Sequence, residues 1–401
     1  MKETKLSIRC TDLFIPLMML FALDFFDLSG IILSLLLLLL FGFCGKEVKL
    51  DRMALLMLLF SAAYGLSIFY FEGVTVDAII KYAIAPWGCY VLGFNILRLK
   101  KDASSIKISK LLFIGFFIHG VLNLIASVAQ FGINFNNNYR QAYDFWQGRI
   151  ISVTTAALYY SPLVFYAIGV LLTQNIRKKK IFSVIVLLIS AFATLLYQNR
   201  TLILAAVIVL MGGIVSILLD SGTTKKTKIS FLFGTGAAIG VILVAWITDI
   251  GGIRSFLQNT TFYARLTGAN GEGQDRTKIW SSFIFGDAWK YPFGGNRAVL
   301  YKNKGYVHNT WLDIFRRGGI IPFISFGLFT LLSVRTVFLY AKQSTIKSED
   351  RHALAFSMIG IAAMFFVEPV IEANPYIFYL PLVVIGLMNG ELYINRTEYL
   401  Q

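Results

Sequence analysis

The chain has 401 residues, 57% of them hydrophobic and only 15% charged, with a formal net charge of +15. A soluble chain of this length carries about a quarter charged residues. Here the apolar excess comes as long blocks instead of a periodic stripe, which excludes an ordinary soluble enzyme and predicts an all-α polytopic membrane protein. In such a chain the positive charge follows from topology, so it does not point to nucleic acid as a partner.

In chain order, twelve stretches are predicted to span: 11–26, 28–44, 53–71, 76–97, 110–132, 150–173, 181–198, 201–219, 229–249, 319–341, 352–370 and 374–393. Most approach the roughly 20 residues that a helix needs to cross hydrocarbon. Lys2, Lys5 and Arg9 precede the first stretch, as in a signal peptide. However, Asp24 and Asp27 stand where a small-residue cleavage site belongs and a second apolar block follows at once, which predicts an uncleaved first span. The first two stretches are short and are expected to pair around "LDFFDLSG". Cys10, Cys44 and Cys89 lie in or near the first four spans and none lies in the longest loop, so neither a disulfide framework nor a cysteine-based metal site is expected. Lys81 and His119 fall within spans, where ionisable groups pair inside the bundle or line a cavity.

Alternate connections carry the basic residues: Lys46, Lys49 and Arg52; Arg98 to Lys110; Arg177 to Lys180; Lys225 to Lys228; and Arg335 to Arg351. The intervening short ones are acidic or neutral: "LDFFDLSG", "FEGVTVD" and "EPVIEANP". The positive-inside rule then predicts both termini in the cytoplasm. It divides the chain into spans one to nine over 1–249, an external loop with short helices over 250–318, and spans ten to twelve with a short tail over 319–401.

That long loop holds Arg254, Arg265, Arg276, Lys278, Lys290, Arg297, Lys302 and Lys304 against Glu272, Asp275 and Asp287. Connections of this length are usually functional. The arginines either meet an anionic partner or form a solvated loop drawn to lipid headgroups. Arg140 and Arg149, in "NNNYRQAYDFWQGR", lead into the sixth span on the same predicted side, and the tight turn "YQNRTLIL" puts Arg200 at a helix end. A guanidinium there either holds phosphate through a bidentate fork or snorkels to the interface. Glu368 and Glu372 pair with arginines, bind sugar hydroxyls or stay solvated.

At the loop's end, "GYVHNTWLDIFRRGGIIPF" has capping-box spacing from Thr310 to Asp313, which predicts a helix start near Thr310. His308 and Asn309 then sit beside free N–H groups that favour anions. His308 reads either as a structural cap or as a base or phosphate donor with a pKa near neutrality. Arg316 and Arg317 follow two turns later, before Gly318, Gly319 and Pro322 break the helix.

The succession "DRTKIW", "YPFGGN" and "HNTWLDIFRRGG" resembles the signature region of the O-antigen polymerase and O-antigen ligase superfamily, with Arg276, Trp280, Pro292, Gly294, Gly295, His308, Asn309 and Gly318 at the matching positions. "QNRTLIL" likewise resembles that family's Arg-Thr at the outer end of a middle span, at Arg200. An Arg-x10-Gly arrangement found in some polymerases is missing, since eleven residues on from Arg297 comes His308 and from Arg265 comes Arg276. The resemblance implies a GT-C-like glycosyltransferase of the bacterial inner membrane, active at its periplasmic face. It further implies a glycan on undecaprenyl pyrophosphate as donor, membrane lipids around it, no cofactor or metal, and a chain-length regulator as a protein partner. It assigns Arg200, Arg276 and His308 to catalysis and Arg140, Arg149, Arg265, Trp280, Asn309, Arg316 and Arg317 to substrate binding. Polymerase is the first expectation. Transfer of the glycan to lipid A core (ligase) is the alternative, and a flippase is the alternative of a different class, because twelve spans with inside termini suit a transporter equally.

Overall fold

The computed structural model describes residues 10–100, 103–135, 141–173, 176–219, 225–267, 275–295, 306–343 and 348–398. The protein is helical almost throughout, and each of the twelve predicted stretches contains helix. Among the described residues, eight helices are long and apolar enough to cross a membrane, and Thr11–Ala22, Ser29–Phe43 and Arg200–Val215 are shorter apolar helices. It is a membrane-spanning protein.

Three local features depart from the sequence reading. The first predicted span is helical only over Phe14–Ala22 after a short 3-10 turn. Its exit is a tight reversal in which Asp24, Phe26 and Asp27 take positive φ, closed by the Ser29 N–H donating to the Asp24 carboxylate at 3.3 Å. The sixth helix begins at Val153, not at residue 150, because Ile150–Ser152 pairs antiparallel with Gln141–Tyr143. The long loop folds into Ile253–Gln258, Thr261–Leu266, Asp275–Ser282 and Thr310–Gly318, with Asp275–Ser282 running on through a wider turn at Phe283–Asp287 to Ala288–Lys290.

The chain packs as two units interleaved in sequence. One comprises residues 1–119, 276–351 and 365–401, the other 120–275 and 352–364. In the first unit the helix Pro375–Glu398 lies against Val76–Leu99 with almost no room between backbones. A Cβ on Gly93 would stand 2.1 Å from the Val383 carbonyl, and one on Gly386 would stand 2.4 Å from that of Tyr90. Small residues at a crossing are how helices associate in lipid, where apolar burial supplies no drive. Arg52–Glu72 and Ile320–Ala341 pack beside this pair, with the Phe60 ring 5.2 Å from Phe326 and 6.1 Å from Phe378. Asp51 closes the first turn of Arg52–Glu72 by accepting from the Ala54 N–H, and it also accepts from Tyr90 Oη and Asn389 Nδ2, which ties three helices at one end. Lys81 makes an ion pair with Asp77 one turn away at 2.9 Å, and His119 is fully buried.

The second unit is built on Val153–Thr173 and its neighbours. Ser357 donates to the carbonyl of Pro162, an acceptor that a proline inside a helix leaves available. The small hairpin is seated on the end of Ser105–Phe131, where Tyr143 N–H donates to Ser127 Oγ and Phe145 N–H donates to Asn123 Oδ1, both at 2.8 Å.

Candidate functional site

The helix Thr310–Gly318 begins where the spacing predicts, but its cap lies one residue earlier. Asn309 is extended and its Oδ1 accepts from the Leu312 N–H at 3.1 Å. Asp313 still reaches back over the helix start. Its carboxylate accepts from Val307 N–H at 2.8 Å and Asn309 N–H at 3.3 Å, so one acid spans the residues on either side of His308. Between these two anchored amides His308 takes a positive φ of 59°, uncommon for a residue with a Cβ. The imidazole is half-buried beside the exposed Tyr306 ring.

The helix is then held from all sides. Asn309 Nδ2 donates to the Phe366 carbonyl at 2.9 Å, and Thr310 Oγ1 donates to the Glu368 carbonyl at 2.7 Å. Trp280 Nε1 donates to the Val307 carbonyl at 2.8 Å, and its ring meets Phe366 edge-on. Ile279, Phe283, Ala288, Val307 and Phe315 form the small apolar core beneath.

Two glycine pairs that lie far apart in sequence meet at the helix end. The Gly295 N–H donates to the Arg317 carbonyl at 3.1 Å, and the Ile320 N–H donates to the Pro292 carbonyl at 2.8 Å. A Cβ on Gly294 would lie 2.5 Å from that Arg317 oxygen, and one on Gly319 would lie 2.5 Å from the Phe293 carbonyl carbon. Both have φ near 87°, so only glycine satisfies the contact and the conformation together. Thus "YPFGGN" and "RRGG" are two halves of one backbone junction.

The arginines divide by their partners. Arg316 is fully buried, its Nε donating to Asp313 at 3.3 Å and its Nη2 to Glu372. Arg317 forks onto Glu72, at 2.7 and 2.6 Å, and stacks over the Tyr82 ring with 4.7 Å to its centre. Three carboxylates therefore face two guanidinium groups. Burial, with Glu372 close by, pushes the Asp313 carboxyl up to about 7 against the opposing pull of Arg316, so Asp313 exchanges its proton near neutrality. Arg276 is different: its side chain is 38% exposed and its Nη2 reaches the buried Glu368 only at 3.4 Å.

Of the residues singled out in the sequence, Arg276, Trp280, His308, Asn309, Arg316 and Arg317 belong to the first unit. Arg149 and Arg200 belong to the second. Arg149 is exposed in the hairpin turn. Half-buried Arg200 opens the helix Arg200–Leu219, behind Gln198 at φ 53° and the cap Asn199, whose Oδ1 accepts from Leu202 N–H at 3.0 Å. Arg265 lies in Thr261–Leu266, with its side chain outside the described residues, as are Arg140, Glu272, Arg297, Lys302 and Lys304 altogether. The chain matches no protein-family model and no curated protein sequence.

Sequence reasoning offered Glu368 and Glu372 several roles and gave none to Glu72 or to Asp313 beyond capping. The available signal was compositional. The predicted outer connections "FEGVTVD" and "EPVIEANP" hold the acids that pair with Arg317, Arg316 and Arg276.

Proposed function

We propose that the chain is a membrane glycosyltransferase that polymerises oligosaccharide repeat units carried on undecaprenyl pyrophosphate. The observation that supports this reading is the convergence of the segments carrying the resemblance. Trp280, the Pro292–Gly295 stretch and the His308–Asn309 helix start are separated by masked and unlike sequence, yet they bond directly to one another or to one helix. In the reaction, an acceptor sugar hydroxyl attacks the anomeric carbon of the donor. The bond from that carbon to the pyrophosphate oxygen breaks, and lipid pyrophosphate leaves. His308 takes the hydroxyl proton as general base. Arg276 is the arginine suited to the leaving group, because it is partly exposed and its contact with Glu368 is long enough to exchange for phosphate. Arg200 supplies a second guanidinium, and Arg140, Arg149 and Arg265 contact the sugar phosphate. Asn309, Arg316 and Arg317 act by holding the helix. The site faces the periplasm from the inner membrane, with both termini in the cytoplasm.

Purified protein in nanodiscs, given a synthetic undecaprenyl-pyrophosphate repeat unit, should form a ladder of longer lipid-linked products. Consumption of donor only when lipid A core is added would make the chain a ligase. Movement of unreacted donor across proteoliposomes with no product would make it a transporter. For orientation, cysteine at Asn270 should react with a membrane-impermeant maleimide from the periplasmic side and cysteine at Lys179 should not; the reverse pattern would invert the proposed topology.

A further inference from the structure

The helical segment from Asp275 to Lys290, with the turn after it, is apolar on two faces. Ile279, Phe283 and Ala288 are 1–2% exposed and pack with Val307 and Phe315 in the core under His308. The other face is bare: Phe285 is 85% exposed, Trp289 66% and Phe293 73%, with Ile284 and Tyr291 beside them. A solvated loop does not keep such a run of large apolar groups uncovered. We propose that this face is a membrane-interface anchor, inserted among the lipid headgroups and upper acyl chains of the bilayer that the protein spans.

Three observations favour lipid over a protein partner. The first is continuity. Ser67 Oγ donates to the Phe293 carbonyl at 3.3 Å, and a Cβ on Gly295 would meet the Phe71 ring at 2.6 Å, so the segment is seated at the end of the membrane-crossing helix Arg52–Glu72. The apolar flank of that helix, with Leu66 67%, Tyr70 84% and Phe71 47% exposed, runs on into the loop face. The second is composition. Trp, Tyr and Phe at the end of a span make the aromatic belt that sits at headgroup depth. The third is charge. Lys290, 71% exposed and 3.9 Å from Asp287, stands between Trp289 and Tyr291, where its stem can lie along the aromatics while the ammonium meets phosphate. Because the buried face of the same segment forms the core under Val307 and Phe315, the anchor fixes His308 and Arg276 at the depth of a lipid's phosphate. The proposal does not depend on the transferase reading.

The test uses the full chain with Cys10, Cys44 and Cys89 replaced and cysteine introduced by Phe285→Cys or, separately, Trp289→Cys, labelled with the fluorophore NBD and reconstituted in phosphatidylglycerol/phosphatidylethanolamine vesicles. Lipids bearing a nitroxide on the headgroup or at the fifth acyl carbon should quench both labels. Aqueous iodide should quench them at least about threefold less than it quenches free NBD-cysteine. Iodide quenching at the free-dye level without lipid quenching would overturn the proposal in favour of a solvated surface. Protection from both quenchers would overturn it in favour of a protein cover, such as a second copy. The two positions serve as independent readings if one variant fails to insert.

Discussion

Arg317 and Arg276 stand in the same unit, close to the same turn after Val367, and carry the same charge in opposite ways. Arg317 is buried, forked onto Glu72 and stacked on Tyr82, so its charge is spent on joining the Thr310–Gly318 helix to the end of Arg52–Glu72. Arg276 is partly exposed and only loosely held by Glu368. Charge at a membrane edge therefore has two causes here, and a count of arginines in the sequence does not separate them. What separates them is the partner: a bidentate acid at 2.6–2.7 Å for one and a single long contact for the other.

The largest effect should come from breaking the buried fork. Arg317→Ala should destabilise the protein by about 3–5 kcal/mol, because Glu72 is left without its partner, read as a fall in the thermal midpoint in detergent. The double variant Glu72→Leu/Arg317→Met should recover most of it, since an apolar pair removes both charges together. A double variant no better than the single one would mean that the fork holds something besides its own two charges.

Next comes the available arginine. Arg276→Ala should lose about 10²–10³-fold in turnover, the scale for one donor to developing charge, while the thermal midpoint hardly moves. Arg276→Lys should restore only part, because an ammonium has no planar fork. His308→Ala should lose about 10²-fold or more with donor binding unchanged. If donor binding fell instead and His308→Gln kept most of the activity, the imidazole would be a phosphate ligand. The smallest effect belongs to the cap: Asn309→Ala should cost about 1 kcal/mol of stability, measurable as a shift of a few degrees at most.

The helices were legible because a span needs a long apolar run and nothing else of similar length competes with it. All twelve stretches hold helix, and the start at Thr310 was readable from a short capping signal. Several features were not. The first span is cut short by a reversal at Asp24–Asp27, whose positive φ values no composition rule assigns to Asp or Phe. The strand Ile150–Ser152 reads as the apolar start of a helix, since three residues are too few to show a period of two. The Arg317–Glu72 fork joins residues 245 apart, and the Gly294–Gly319 junction becomes visible only when backbones touch. Local pattern reports which residues are charged or small. Long-range packing decides which of them are neutralised and which remain for a ligand.

The division between a structural and an available arginine is tested most directly by matched variants, Arg276→Ala and Arg317→Ala, each measured for thermal midpoint and for product formed from the synthetic lipid-linked repeat unit. The account predicts that Arg276→Ala keeps its midpoint and loses turnover, while Arg317→Ala loses its midpoint. Full turnover in Arg276→Ala, or an unchanged midpoint in Arg317→Ala, would contradict it.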